Sequence, residues 1–269
     1  MLDALLNYTF MQNAFLAALF ASIICGIIGT IITEKKLVGM SGGIAHASFG
    51  GIGLGYLLGI EPILGGLFFS VLSAMGVSAI KRKTNTKNDT LIGMLWAFGM
   101  ALGILFIAVK PGYPPDMTSY LFGDILTVST LYIKIMVLLI IIIVFTLISF
   151  FNFWKSFLFD EEYARIKGIN TVLFEYILYI MIALSIVILI KVVGIILVIA
   201  LMTIPPAISK LFTRKLSSLM IISTLLGIFL SIAGLVVSYV YRIPSGATII
   251  IISVFAYLLA VLLVNRRVV

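Results

Sequence analysis

Ile135-Met136-Val137-Leu138-Leu139-Ile140-Ile141-Ile142-Ile143-Val144-Phe145-Thr146-Leu147-Ile148-Ser149-Phe150-Phe151 is an apolar run with no charge and no alternation of polar and apolar residues. A transmembrane β-strand would alternate with a period of two, because one face meets lipid and the other the lumen. A continuous run approaching the roughly 20 residues needed to cross the hydrocarbon core reads as a helix instead. The rest of the chain agrees. Of its 269 residues 62% are hydrophobic and 10% charged, with a mean hydropathy of +1.28. A soluble domain carries about 25% charged residues. The chain is therefore expected to be all-α, a polytopic transmembrane bundle forming a single domain over 1–269.

Apolar runs read against breaks give about nine candidate spans, at 12–32, 42–60, 62–80, 90–109, 131–150, 171–189, 192–209, 217–240 and 245–264. Glycines weaken the second, so eight is the neighbouring count, and the region of Lys191 reads as a turn or a re-entrant break. Lys110, Lys134, Lys191 and Arg242 fall on one side of this arrangement. The other basic residues (Lys35, Lys36, Lys81, Arg82, Lys83, Lys87, Lys155, Arg165, Lys167, Lys210, Arg214, Lys215, Arg266 and Arg267) fall on the opposite side. The positive-inside rule makes the richer side cytoplasmic. The N-terminus, with Asp3 and no base, is then outside and the C-terminus inside. The net charge of +8 is scattered in loops, as expected beside anionic lipid, and does not indicate nucleic acid binding. One cysteine, Cys25, provides no disulfide framework. No cleavable signal peptide is read at the N-terminus, and no internal repeat is visible.

Two segments between spans carry information. Lys110–Ser129 holds Pro111, Gly112, Pro114 and Pro115, then the mixed run Tyr120–Thr127, and reads as a turn followed by a short interfacial helix. Asn152–Asn170 is the long polar stretch on the basic side. Within it, Asp160 is a good N-cap, Glu161 and Glu162 fill the first turn, Arg165 and Lys167 the last, and Gly168 suits the position just past the end. The physics of these residues leaves two readings open. One is a connector that shortens the loop; the other is a docking helix offering Phe159, Tyr163 and Ile166 to a partner.

The second span contains Gly42, Gly43, Ala47, Gly50, Gly51, Gly55 and Gly59. Positions 43, 47, 51, 55 and 59 form a small-residue stripe suited to close helix packing. His46 is the only histidine, and its helical neighbours Gly42, Phe49, Gly50 and Gly53 leave room beside the ring. An ionisable side chain within a membrane marks a functional hypothesis, and neutral imidazole is a common transition-metal ligand. A histidine hydrogen-bonded between helices remains the alternative. The chain has no G-x-x-x-x-G-K-[ST] phosphate cradle, no paired carboxylates within a span and no nucleophile–histidine–acid set. It is not expected to be an enzyme, and energy must come from another chain.

The sequence resembles the membrane permease subunits of zinc and manganese ABC importers, the ABC-3 family, almost from end to end. Six features in the right order carry the resemblance: Met40–Ala47, where the family has a segment ending in Ser-His-Ala; Lys87–Gly93 with Gly99–Gly103; Tyr120–Leu126, including Gly123 and Asp124; Phe159–Gly168; Lys191–Val198 leading to Ile204-Pro205-Pro206; and Pro244–Thr248. The resemblance implies that Phe159, Asp160, Glu161, Glu162, Tyr163, Ala164, Ile166 and Gly168 form the helix coupled to an ATPase subunit. It implies that His46 touches a transported divalent ion (zinc, manganese or iron) and that Gly42, Gly43, Ala47, Gly50, Gly51 and Gly55 pack along the pathway. An extracytoplasmic metal-binding protein, a second copy of the permease and membrane lipid are the other implied partners, with no permanently bound cofactor. One departure stands out: the family usually has Asp four residues before that histidine, and here the position is Gly42. Cys25, Met94, Met100 and Thr203 are the remaining soft or polar groups within spans, where core packing explains them best. A metal chelate, or another small solute, is the alternative cargo, and a non-transporting scaffold the alternative role.

Overall fold

The computed structural model describes residues 7–84, 88–111, 118–123 and 125–265. The predicted turn at Gly112, Pro114 and Pro115 lies outside the described residues, as do Asp3, Lys87, Asp124, Arg266 and Arg267. The described residues are helical throughout, in the order α1 (Thr9–Glu34), α2 (Val38–Leu58), α3 (Pro62–Thr84), α4 (Asn88–Val109), α5 (Thr118–Phe122), α6 (Thr130–Ser149), α7 (Phe151–Phe159), α8 (Glu161–Ile166), α9 (Thr171–Val193), α10 (Ile195–Phe212), α11 (Leu216–Tyr241) and α12 (Ser245–Asn265). A single 3₁₀ turn, Ile125–Thr127, follows α5. Helices are what lipid permits, because they satisfy every interior N–H and C=O within the segment.

Eight of these helices are long and apolar enough to cross a membrane. The exception among the long ones is α2, whose glycines lower its hydropathy. At 21 residues it is nevertheless about 31 Å long, which matches the hydrocarbon core. Its position explains the composition: α2 is packed against both α3 and α4, so most of its residues are buried in protein and few need to face lipid.

The chain gathers into two compact units. In the unit of Leu37–Met117 and Leu147–Lys191, α2 and α4 run parallel in close contact. The two meet at Gly39 and Asp89, Gly43 and Ile92, Ala47 and Gly99, and Gly53 and Gly103. At the far end Lys110 Nζ donates to the Tyr56 carbonyl and lies 4.4 Å from the centre of that tyrosine's ring. At the basic end, the buried carboxylate of Glu175 on α9 is matched by Lys81 Nζ at 3.2 Å and by the Arg82 guanidinium, both from the last turn of α3.

In the unit of Met1–Lys36, Thr118–Thr146 and Val192–Val269, α1 packs on α10 and α11, and α12 packs on the same two helices. Small and hydroxylated residues set the spacing. Ser22 meets Ser231 at 3.1 Å, and Thr30 donates to Ser223 at 3.2 Å. Lys210 pairs with Glu34 at 3.0 Å, so the C-terminal ends of α10 and α1 share one side. Helix α10 continues through Pro205 and Pro206. Pro206 has no N–H for the Met202 carbonyl, and that carbonyl lies against Gly29 of α1, where any side chain would collide.

The break expected at Lys191 falls three residues later. Lys191 is inside α9, and the helix ends where Gly194 takes a φ of +81°. Gly194 and Gly123 (φ +65°) approach each other backbone to backbone. Positive φ and the absence of a Cβ are both needed there, which is why two glycines sit at this joint. The predicted interfacial run resolves into α5 and the 3₁₀ turn, with Tyr120, Ile125 and Val128 buried and the Val128 carbonyl accepting from Asn13 Nδ2 at 3.0 Å.

Candidate functional site

His46 lies near the middle of α2, half-buried. Its ring stacks on Trp96 of α4, with centroids 4.1 Å apart and planes within 6°. Nδ1 is buried and has no hydrogen-bond partner among the described residues. The sequence leaves room beside the imidazole; the structure fills one face of that room with an indole. Neither helix presents a hydrogen bond to Nδ1, so the ring is held from its face.

The small residues of α2 serve two neighbours, not the single four-residue stripe expected. Gly43, Ala47, Gly50 and Gly53 lie toward α4; Gly51 and Gly55 lie toward α3, against Gly65 and Pro62, and Phe69 of α3 also reaches Gly50. Gly42 is buried and offers no side chain to the histidine one turn on. The other soft or polar candidates are dispersed. Cys25 is buried on α1, Thr203 donates to the carbonyl of Ile199 within α10, and Met100 is half-buried. Met94, expected inside a span's packing, is 62% exposed and lies on the outer surface of α4. Among the described residues no group of three or more His, Cys, Asp or Glu gathers to hold a metal.

The second element of the site is α8. Asp160 caps it as the sequence demands, its Oδ1 accepting from the Tyr163 N–H at 2.9 Å. At the other end the Gly168 N–H donates to Arg165 O and the Ile169 N–H to Ala164 O, both at 3.0 Å, with Gly168 at φ +77°. This is the paired closure that a left-handed glycine allows. Ala164 is fully buried and faces its own chain, while Phe159, Tyr163 and Ile166 are exposed, Ile166 to 84%. Lys167 Nζ lies 4.6 Å from the centre of the Tyr163 ring, and Glu161, Glu162 and Arg165 line the polar flank.

Beneath α8, helix α7 fills a stretch read from the sequence only as polar loop. Trp154, Phe157 and Leu158 are buried, and Phe174 of α9 takes Trp154 edge-on at 5.0 Å and lies 6.1 Å from Phe157. The spacing 154, 157 and 158 is a helical signal that was available. Trp96 and the Glu175 pairing had no such local signal, because each depends on the register between two separate helices.

Long apolar helices, a capped and exposed helix between two of them, and a lone histidine within a buried, glycine-rich helix place the chain in the class of polytopic helical membrane proteins. The profile of the ABC 3 transport family matches residues 7–264, and the chain belongs to that family. It is 40% identical over 95% of its length to 91% of the membrane protein slr2045 of Synechocystis. It is 31% identical over 99% of its length to 95% of the manganese transport system membrane protein MntC of Listeria monocytogenes. Among solved structures it is similar to PsaBC from Streptococcus pneumoniae in complex with Fab, with a TM-score of 0.85 and 29% identity, covering 96% of this chain and 93% of that one. Membership makes the chain the multi-pass membrane component of an ABC transport system.

Proposed function

We propose that this chain is the permease of an ABC importer for a divalent transition metal, manganese first, with zinc and iron as the other candidates. The observation that carries the reading is the match along almost the whole of both chains to a manganese transport membrane protein. In this reading an external binding protein delivers the ion to the outer mouth, two copies of the permease enclose the pathway, and lipid covers their outer helices. An ATPase subunit docks on each cytoplasmic α8 through Phe159, Tyr163 and Ile166, with Asp160 and Gly168 holding the helix in shape. Closure of the ATPases on ATP is transmitted through α8 and the aromatic contacts beneath it, and switches the pathway between its two faces. With α2 crossing alongside α4 the described helices amount to nine spans, an odd number that puts the two termini on opposite sides, and the distribution of Lys and Arg favours the N-terminus outside and the C-terminus in the cytoplasm.

His46 is a transient contact for the ion. A permease must release what it binds, and a single imidazole holds a divalent ion weakly. The test is ATP hydrolysis by the reconstituted permease–ATPase complex with its binding protein, loaded in turn with manganese, zinc and iron. Stimulation by at least one loaded form is expected. Equal hydrolysis with loaded and empty binding protein for all three ions overturns the metal reading.

A further inference from the structure

Imidazole has two ways of being held. In-plane hydrogen bonds occupy its nitrogens, whereas stacking occupies only its faces. Histidines that ligate metals ordinarily have the ring fixed by the first means, the spare nitrogen donating to a carboxylate or carbonyl. His46 lacks that support: Nδ1 has no partner among the described residues, and Gly42, one turn before it, has no side chain. What His46 does have is the Trp96 indole, 4.1 Å away and nearly coplanar.

We propose that Trp96 is a positioning residue for the cargo contact, orienting the His46 ring by stacking on its face and using neither ring nitrogen as a hydrogen-bond partner. The proposal rests on the reading of His46 as the ion's contact. Two physical consequences follow. The stack restricts rotation of the imidazole about its own bond to the chain, so the ring is presented in one plane when the ion arrives. Metal binding also draws electron density out of the imidazole and makes its face more positive, and a positive group over an indole face is attracted by the ring's quadrupole. Trp96 therefore favours the metal-bound histidine over the free one. The close packing of α2 on α4 at Ala47–Gly99 and Gly53–Gly103 holds the two rings in register. Trp96 is 44% exposed, so replacing it leaves the packing of the chain largely as it was.

The experiment measures Mn²⁺ binding to the permease–ATPase complex in lipid nanodiscs, without binding protein, from the loss of the free-ion electron paramagnetic resonance signal. Wild type is expected to show a weak saturable site that His46→Ala removes. Trp96→Leu, which keeps bulk but not the π face, weakens that site by about tenfold, the free-energy equivalent of one aromatic pair. Trp96→Phe keeps the stack and stays within about threefold of wild type by the same measure. Thermal unfolding of all three variants matches wild type, which separates positioning from a loss of fold. If Trp96→Leu binds like wild type, or Trp96→Phe is as weak as Trp96→Leu, the stacking role is wrong while His46 keeps its own. A wild type without a saturable site, or a His46→Ala variant that binds normally, sinks the underlying reading of His46 instead.

Discussion

A hydrogen at position 53 decides how closely two helices run. A Cβ built on Gly53 would lie 2.6 Å from the Gly103 carbonyl oxygen, and one built on Gly103 would lie 2.6 Å from that of Phe49. Cβ atoms essentially never come within 3.0 Å of a non-bonded neighbour, so a larger residue must push α2 from α4. Overpacking of this kind costs about 1–3 kcal/mol. Gly53→Leu is expected to lower the melting temperature of the solubilised protein and to separate His46 from Trp96. Gly93, on the same helix α4, has nothing within 4 Å, and Gly93→Ala should leave the melting temperature unchanged or slightly raised. A melt in which the two variants behave alike would contradict this account of α2. The small residues of α2 were visible in the sequence, but which neighbour each one faces was not. Pairing of parallel helices depends on two connections and a rotation, none of which local spacing specifies.

The element whose sequence is most self-sufficient is α8. Its cap, first-turn acids, last-turn bases and terminating glycine lie within nine consecutive residues, Asp160–Gly168, so its bounds followed from the residues alone. Helix α7 shows the limit of that reasoning. Asn152, Lys155 and Ser156 make the stretch look like polar loop, yet Trp154, Phe157 and Leu158 bury one face against Phe174. The end of α9 shows another, since Lys191 resembles a break and the left-handed φ of Gly194 is the actual one. If α8 is the ATPase's docking element, Tyr163→Asp should weaken association of the ATPase at least tenfold in a pull-down from membranes, with membrane insertion unchanged; a charge placed in an apolar contact carries a penalty of roughly that size or more. Asp160→Ala removes an N-cap worth about 1 kcal/mol and should weaken association less. Wild-type association by both variants would return α8 to the role of connector.

At the scale of the whole molecule, the composition determined the class: a bundle too apolar for water and without a phosphate cradle. Among the described residues, eight helices declare themselves candidate spans by length and apolarity. The ninth long helix, α2, is glycine-rich because it is enclosed by its neighbours, and it is also the helix that carries the only histidine. Close packing and the candidate cargo contact therefore coincide in one element. The direction of transport and the cargo are properties of the assembly, and no single span of this chain encodes them.

The most direct test is accumulation of radioactive manganese by proteoliposomes containing the permease and its ATPase, with loaded binding protein supplied on the extracytoplasmic face and ATP on the other. ATP-dependent accumulation is expected, and His46→Ala should abolish it while the ATPase remains bound. Accumulation by His46→Ala at the wild-type rate would contradict the site, and absence of ATP-dependent accumulation of manganese, zinc or iron by the wild type would contradict the function.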